Sequence, residues 1–402
     1  MKRTRSLFTL VGFLALGSVG IAQAGELVVW HAYRAEEKAA FEKVAKAYEA
    51  TKPGTTVTLL AIPYDAFADK ITAAVPRGKG PDVFIFAQDK LGGWIEAGNT
   101  VEPIDFYLDE PTKARFIPTT MEAMTYRGTV YGLPMNYKAI TLIYNKKLVT
   151  APPKTDVELV ALAKKLTDKG AGRFGLAYSY ADYWYHASLQ NAFGGRVFDA
   201  GAPVLNNPEN VKAALFLQKW IKEGFLPAEP STALVTSLFN EGKAAIVFSG
   251  SWFLGEIAKG VDYGLAPLPT IAEAGGKPMR PWMTVEGMYV AAPSKQKDLA
   301  YDFVKFVTDV KAATVMAVEG RQNPANKKAY EDPKVGKDPI LAAFRAQAEV
   351  AIPTPNVPEM TMVWSPATTA MNTITRGTSP QAALDKAQAQ LLKDVAGLRK
   401  RP

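Results

Sequence analysis

Three carboxylates, Asp89, Asp182 and Glu286, stand among aromatic or basic residues at the ends of short apolar runs. Asp89 and Lys90 follow the run Val83 to Ala87, and Asp182 lies inside the cluster Tyr180, Tyr183, Trp184 and Tyr185. Two such carboxylates could supply the acid and the nucleophile of glycoside hydrolysis, but spacing along a chain does not give the separation that chemistry needs. A secreted glycoside hydrolase is therefore one reading to carry forward. Other chemistries are excluded more firmly. The 402-residue chain has no cysteine, so it has no disulfide framework, thiol nucleophile or iron–sulfur site. Its two histidines, His31 and His186, sit outside any HExxH or Cys/His zinc spacing. No G-x-S-x-G elbow and no phosphate loop occurs, and Gly78 to Gly80 precedes a strand, the wrong order for cradling phosphate. Neither a metal nor a cofactor is expected.

The elements that must position these residues alternate between strands and helices. Leu27 to Trp30 is an apolar strand candidate, and Phe41, Val44, Ala45 and Tyr48 recur at helical spacing. Thr56 to Ala61 is β-rich, Asp65 to Val75 helical, and Asp82 to Ala87 a buried strand. Ala139 to Tyr144 and Ala245 to Phe248 are further strands, and Thr155 with Glu158 forms a capping box. Asn207-Pro208 and Ser379-Pro380 start helices, with proline where its missing N–H is harmless. The pattern predicts an α/β protein with largely parallel sheets.

At the N-terminus, Lys2, Arg3 and Arg5 precede an apolar run to Ile21 and the small-x-small triplet Ala22-Gln23-Ala24. Residues 1–24 are expected to be a cleaved signal peptide, the run being short of the about 20 apolar residues a membrane-spanning helix needs. With no cysteine for lipid attachment, a periplasmic, untethered protein is expected. Loss of Lys2, Arg3 and Arg5 takes the formal charge from +8 to +5. The remaining charge is dispersed apart from the tail Arg399-Lys400-Arg401, so no basic stripe marks a nucleic-acid partner. The residues after position 24 exceed the roughly 250–300 that one core supports, so two lobes are expected.

Five blocks carry a family resemblance: Leu27 to Trp30, Gly78 to Trp94, Tyr131 to Lys146, Asn240 to Trp252 and Asn356 to Trp364. In this order they resemble the extracellular solute-binding proteins of family 1, and within them the maltodextrin-binding members of ABC importers. The resemblance implies a two-lobed periplasmic-binding-protein fold of type II with three hinge crossings and a ligand cleft between the lobes. It places residues 25–135 and 286–333 in the N-terminal lobe, and 136–285 and 334–402 in the C-terminal lobe. It implies a monomeric, non-catalytic receptor that binds maltose, a maltodextrin or a related oligosaccharide and delivers it to membrane permease subunits.

A sugar ring has apolar faces and a hydroxylated edge, so its site needs flat aromatic platforms together with fixed donors and acceptors. The family pattern assigns Trp252, Trp364 and Trp184 to stacking, and Asp182, Asp89 and Lys90 to hydroxyls. Phe86 stands where relatives have tryptophan, and Tyr33 and Arg34 lie where polar ligand groups are placed. The pattern also assigns Tyr137 and Lys138 to the ligand, with Lys138 in place of a glutamate. Lysine only donates where glutamate only accepts, so one hydroxyl contact must be rearranged, and trehalose or an acidic sugar stays open beside maltose. Thr368 and Ser365 replace an arginine and a tyrosine. Trp30, Trp94, Trp220 and Trp282 read as packing residues.

Overall fold

The computed structural model describes residues 25–398. The signal-peptide reading of 1–24 and the basic tail Arg399-Lys400-Arg401 lie outside the described residues. Two sheets organise the chain. The first has the order Asn323–Pro324, Gly132–Ala139, Trp282–Val290, Val83–Ala87, Glu26–His31, Thr56–Ala61, with Ile352–Pro353 pairing onto Trp282 and Met283. The second has the order Tyr263–Ala266, Thr141–Asn145, Ala244–Ser249, Phe174–Ala177.

Local sequence explains the central elements. All five residues of Val83–Ala87 and all six of Ala244–Ser249 are buried, as unbroken apolar runs require when both faces are covered. Helix Ala35–Thr51 buries Ala40, Phe41, Val44, Ala45 and Tyr48 on one stripe. The capping box at helix Asp156–Leu166 is formed: Glu158 N–H donates to Thr155 Oγ1 at 3.2 Å, and Thr155 N–H to Glu158 Oε2 at 3.3 Å. Gly224 ends helix Pro208–Glu223 at φ 77°, a conformation that glycine adopts without a Cβ clash.

The sheets are less parallel than the sequence suggests. Glu26–His31 runs parallel to both Thr56–Ala61 and Val83–Ala87, but Trp282–Val290 is antiparallel to Val83–Ala87 and to Gly132–Ala139. Thr141–Asn145 is antiparallel to both of its neighbours. Such strands enter from the other half of the molecule, so no right-handed crossover helix fixes their direction.

Each sheet has its own core. The first collects residues from Leu27 to Ala139, Met283 to Ala325, and Tyr330 to Ala351. The second collects Ile140 to Trp282 and Met360 to Val395, with a satellite cluster including Ile143, Val247 and Phe253. The molecule is thus two-lobed, with the chain passing between lobes three times. The passages fall at 139/140, 282/283 and between 351 and 360, a few residues beyond the expected 135/136 and short of 285/286. The third departs most. Pro333 only opens the short helix Pro333–Gly336, and helix Pro339–Ala348 buries Leu341, Phe344 and Ala348 in the first core.

Gln88 ties two of these passages to the first lobe. Fully buried, it donates from Nε2 to the carbonyls of Met283 (3.3 Å) and Thr354 (3.1 Å), and its Oε1 accepts from Val285 N–H at 2.8 Å.

Candidate functional site

The three parallel strands Glu26–His31, Thr56–Ala61 and Val83–Ala87 end along one edge of the first sheet. In open α/β sheets, ligands bind outside the carboxyl ends of such strands. Tyr33 and Arg34, then Tyr64, then Asp89 and Lys90 follow those three ends in turn. Asp89 and Lys90 lie in the short turn Gln88–Lys90, pair at 2.8 Å, and keep side chains 17% and 31% exposed. An ammonium has three donors and a carboxylate roughly four acceptor positions, so the pair holds capacity beyond its own bond.

Lys138 comes from the first passage between lobes. Asn136 faces Glu286 across the ladder, and Lys138 faces Thr284. Strand alternation puts Asn136, Lys138 and Glu286 on one face. Lys138 Nζ donates to Glu286 Oε1 at 2.9 Å, and Asn136 Nδ2 donates to Oε2 at 2.7 Å. Burial works against charge on Glu286, but the Lys138 ammonium and the hydrogen bonds from Lys138, Asn136 and Tyr33 hold its pKa below the usual value. Burial likewise works against the Lys138 ammonium, and the charges of Glu286 and then Glu37 override it, holding its pKa above normal. Glu37 is pushed up by burial, partly offset by Lys138.

The same alternation corrects the expectation for Tyr137. It points to the opposite face, is fully buried, and its hydroxyl pairs with that of Tyr330 at 2.9 Å. Phe86 is corrected too, since its side chain is buried rather than open. It lies flat on Phe67, with centroids 4.7 Å apart at 1°, and under Tyr64, 4.7 Å away at 35°. Tyr64 is 49% exposed and carries the open ring of that stack. Sequence reasoning missed it by starting the helix one residue late; helix Tyr64–Ala74 begins on it. Tyr33 is buried as well: its N–H donates to His31 Nδ1 at 3.1 Å, and its hydroxyl accepts from Asn136 Nδ2 at 3.2 Å. It braces Asn136 from behind, whereas Arg34 is exposed.

On the second lobe, Asp182 caps helix Tyr183–Ala192 by accepting from Trp184 N–H at 2.8 Å. Burial raises its pKa, with the Trp184 amide working the other way. Trp184, Trp282 and Trp364 form one group, with centroid separations of 6.2 Å (Trp184–Trp364), 5.5 Å (Trp282–Trp364) and 6.0 Å (Trp184–Trp282). Trp282 is the buried member, and Trp184 and Trp364 keep part of their surface open. Trp252 is 39% exposed. Its ring folds back over Gly250, where a Cβ would come within 2.2 Å of it, so the close approach requires glycine. Burial pushes the Tyr185 hydroxyl up, opposed by hydrogen bonding with the side chains of Ser249 and Trp252. That contact brings Trp252 to the start of the Asp182-capped helix.

Of the three carboxylates, Asp182 sits on the second lobe, while Asp89 and Glu286 sit on the first. Among the described residues there is no group of three or more His, Cys, Asp or Glu that could hold a metal. A cavity of about 440 Å³ opens beside the passages, lined by Tyr126, Arg127, Arg196, Phe198, Trp282 and Asn356 among others. None of the residues assigned to sugar borders it.

Residues 31–314 match the family model described as bacterial extracellular solute-binding protein. A maltotriose-binding protein of Pyrococcus abyssi is 33% identical over 93% of this chain and 83% of its own length. A galactooligosaccharide-binding protein of Bacillus subtilis is 30% identical over 91% of this chain and 88% of its own. The crystal structure of a cyclo/maltodextrin-binding protein complexed with maltotetraose superposes with a TM-score of 0.86 at 31% identity, covering 92% of this chain and 97% of that one. The chain belongs to the bacterial extracellular solute-binding protein family.

Proposed function

We propose that this protein is the sugar receptor of an ABC importer, binding a malto-oligosaccharide between its lobes and presenting it to membrane permease subunits. The observation that carries this reading is the likeness, over nearly the whole chain, to a maltotriose-binding protein and to a structure holding maltotetraose. The local chemistry supports it. Trp252, Trp184 and Trp364 offer flat faces on one lobe, and Asp89, Lys90, Lys138 and Arg34 offer charged donors and acceptors on the other. Charged groups make the stronger hydrogen bonds to hydroxyls, and aromatic faces cover the C–H faces of the ring. Closure of the lobes would bring the two halves onto one ligand. The protein acts by binding alone, as a monomer, in the periplasm, with residues 1–24 as its export leader. No helix among the described residues is long and apolar enough to cross a membrane.

The test is a thermal-shift and tryptophan-fluorescence screen of the mature protein against maltose, maltotriose, trehalose, glucose and a galacto-oligosaccharide. Ligand at a hundredfold excess over Kd raises stability by about 2.7 kcal/mol. A shift with an intact malto-oligosaccharide supports the reading. No shift with any malto-oligosaccharide, or steady release of reducing sugar, overturns it.

A further inference from the structure

Trp282 reads from sequence as a packing residue, and it is only 2% exposed. What it packs against sets it apart. Its ring stands edge-on to Trp364, with centroids 5.5 Å apart at 84°, and to Tyr183, 5.4 Å away at 76°. Trp184 leans on it at 6.0 Å and 54°. Trp184 belongs to helix Tyr183–Ala192 and Trp364 to helix Met360–Thr375, so two partly open rings on different helices share one buried support. Edge-to-face contacts favour a particular angle between rings as well as a separation.

The backbone under that support belongs to the passages between lobes. Trp282 packs in the second core, and its neighbour Met283 packs in the first. The two pair with Ile352 and Pro353 of the third passage. Ile352 N–H donates to the Pro281 carbonyl and Thr354 N–H to the Met283 carbonyl, both at 3.0 Å. The second and third passages are therefore tied together at Trp282. A rotation of the lobes absorbed at these residues turns the Trp282 backbone against the second lobe. The ring has room to follow, because the cavity of about 440 Å³ borders it. Close-packed side chains transmit such a turn by moving between discrete arrangements rather than by yielding smoothly.

We propose that Trp282 is a positioning residue that couples lobe closure to sugar stacking: its ring sets Trp184 and Trp364 for the ligand as the lobes close and releases them as the lobes part. This deepens the receptor reading and rests on it. Trp282 touches no ligand in this role. Its contribution falls on the lifetime of the closed, loaded state, because encounter with the open cleft comes before the alignment. Its loss therefore speeds dissociation and leaves association nearly unchanged.

The experiment is stopped-flow tryptophan fluorescence of the mature protein with maltotriose. Trp282→Leu dissociates about tenfold faster, through the loss of two edge contacts, with association within about twofold of wild type. Trp282→Phe keeps a ring edge and recovers all but about threefold. In a Trp364→Ala background, Trp282→Leu adds about threefold or less, because one of the rings it sets is gone. Thermal melts of the ligand-free variants check the fold. If Trp282→Leu does not fold, Trp282→Phe carries the test, and wild-type dissociation in it overturns the coupling. Unchanged dissociation in folded Trp282→Leu, or an undiminished effect in the Trp364→Ala background, overturns it as well. Binding lost in Trp252→Ala with wild-type kinetics in Trp282→Leu would uphold the receptor and reject this coupling alone. Failure of maltotriose to bind wild type at all strikes the receptor reading instead.

Discussion

Trp252→Ala separates binding from folding, because the ring is already 39% exposed and its neighbour Gly250 is shaped around it. An indole presents about 150–250 Å², so the exposed share comes to roughly 60–100 Å² for a sugar face to cover. At about 25 cal/mol per Å² this is about 1.5–2.5 kcal/mol. Affinity for maltotriose should fall about ten- to seventyfold. The folded state keeps its main cores, since Phe253 rather than Trp252 enters the satellite cluster. Titration calorimetry gives the affinity, and a thermal melt of the ligand-free variant checks the fold. Unchanged affinity with an intact fold would refute the stacking role. A large loss of ligand-free stability with normal affinity would show that the ring is a packing residue, and the area reasoning would fail with it.

Other outcomes follow from the same geometry. Tyr137→Phe strips the buried Tyr330 hydroxyl of its partner and should cost about 1–3 kcal/mol by urea unfolding, while maltotriose affinity is unchanged; a changed affinity would return Tyr137 to the ligand surface. Gln88→Ala removes the side-chain partner of the Val285 N–H and of the Thr354 carbonyl, while the Met283 carbonyl keeps the Thr354 N–H; it should cost about 2–3 kcal/mol, read as a lower urea midpoint, and a midpoint equal to wild type would argue against the clamp. Burial lowers the pKa of His31 to about 4 and of His186 to about 3, against 6.5 for a free side chain. Both are neutral when folded and bind a proton more readily when unfolded. Their contribution to stability is therefore whole above about pH 6.5 and lost as the pH falls toward about 4. Urea midpoints should drop between about pH 7 and about pH 4.5, and less so in His186→Leu; an equal drop in that variant would clear His186 of the effect.

Much of the architecture was legible because burial writes itself into composition. Val83 to Ala87 has no polar residue to turn outward, so a covered strand was the only reading. The capping box at Thr155 was legible because two side chains three residues apart satisfy backbone groups without help from the rest of the fold. The passages were harder. Ala139 and Ile140 are both apolar and both fully buried, yet they belong to different cores, and an apolar run does not reveal which sheet it enters. Tyr137 and Lys138 could have been separated from sequence, since neighbours in a strand face opposite ways. The partner that tames Lys138 could not: Glu286 is 148 residues away in sequence, and only the strand register brings it alongside. Tyr64 lay hidden behind a helix boundary drawn one residue late, an error as small as such boundaries allow.

The interleaving of the two sheets has a consequence for how the chain is made. Strand Trp282–Val290 lies between Gly132–Ala139 and Val83–Ala87, so the first sheet has a gap at its centre until residue 290 exists. The second lobe waits longer, because helix Met360–Thr375 and helix Pro380–Leu398 pack on each other and on helix Pro208–Glu223 to seal its core. Neither half can finish folding while its own C-terminal segments are still on the ribosome, and pairings this distant form slowly even afterwards. The nascent polypeptide therefore stays open until it is nearly complete, a state suited to threading through a narrow channel.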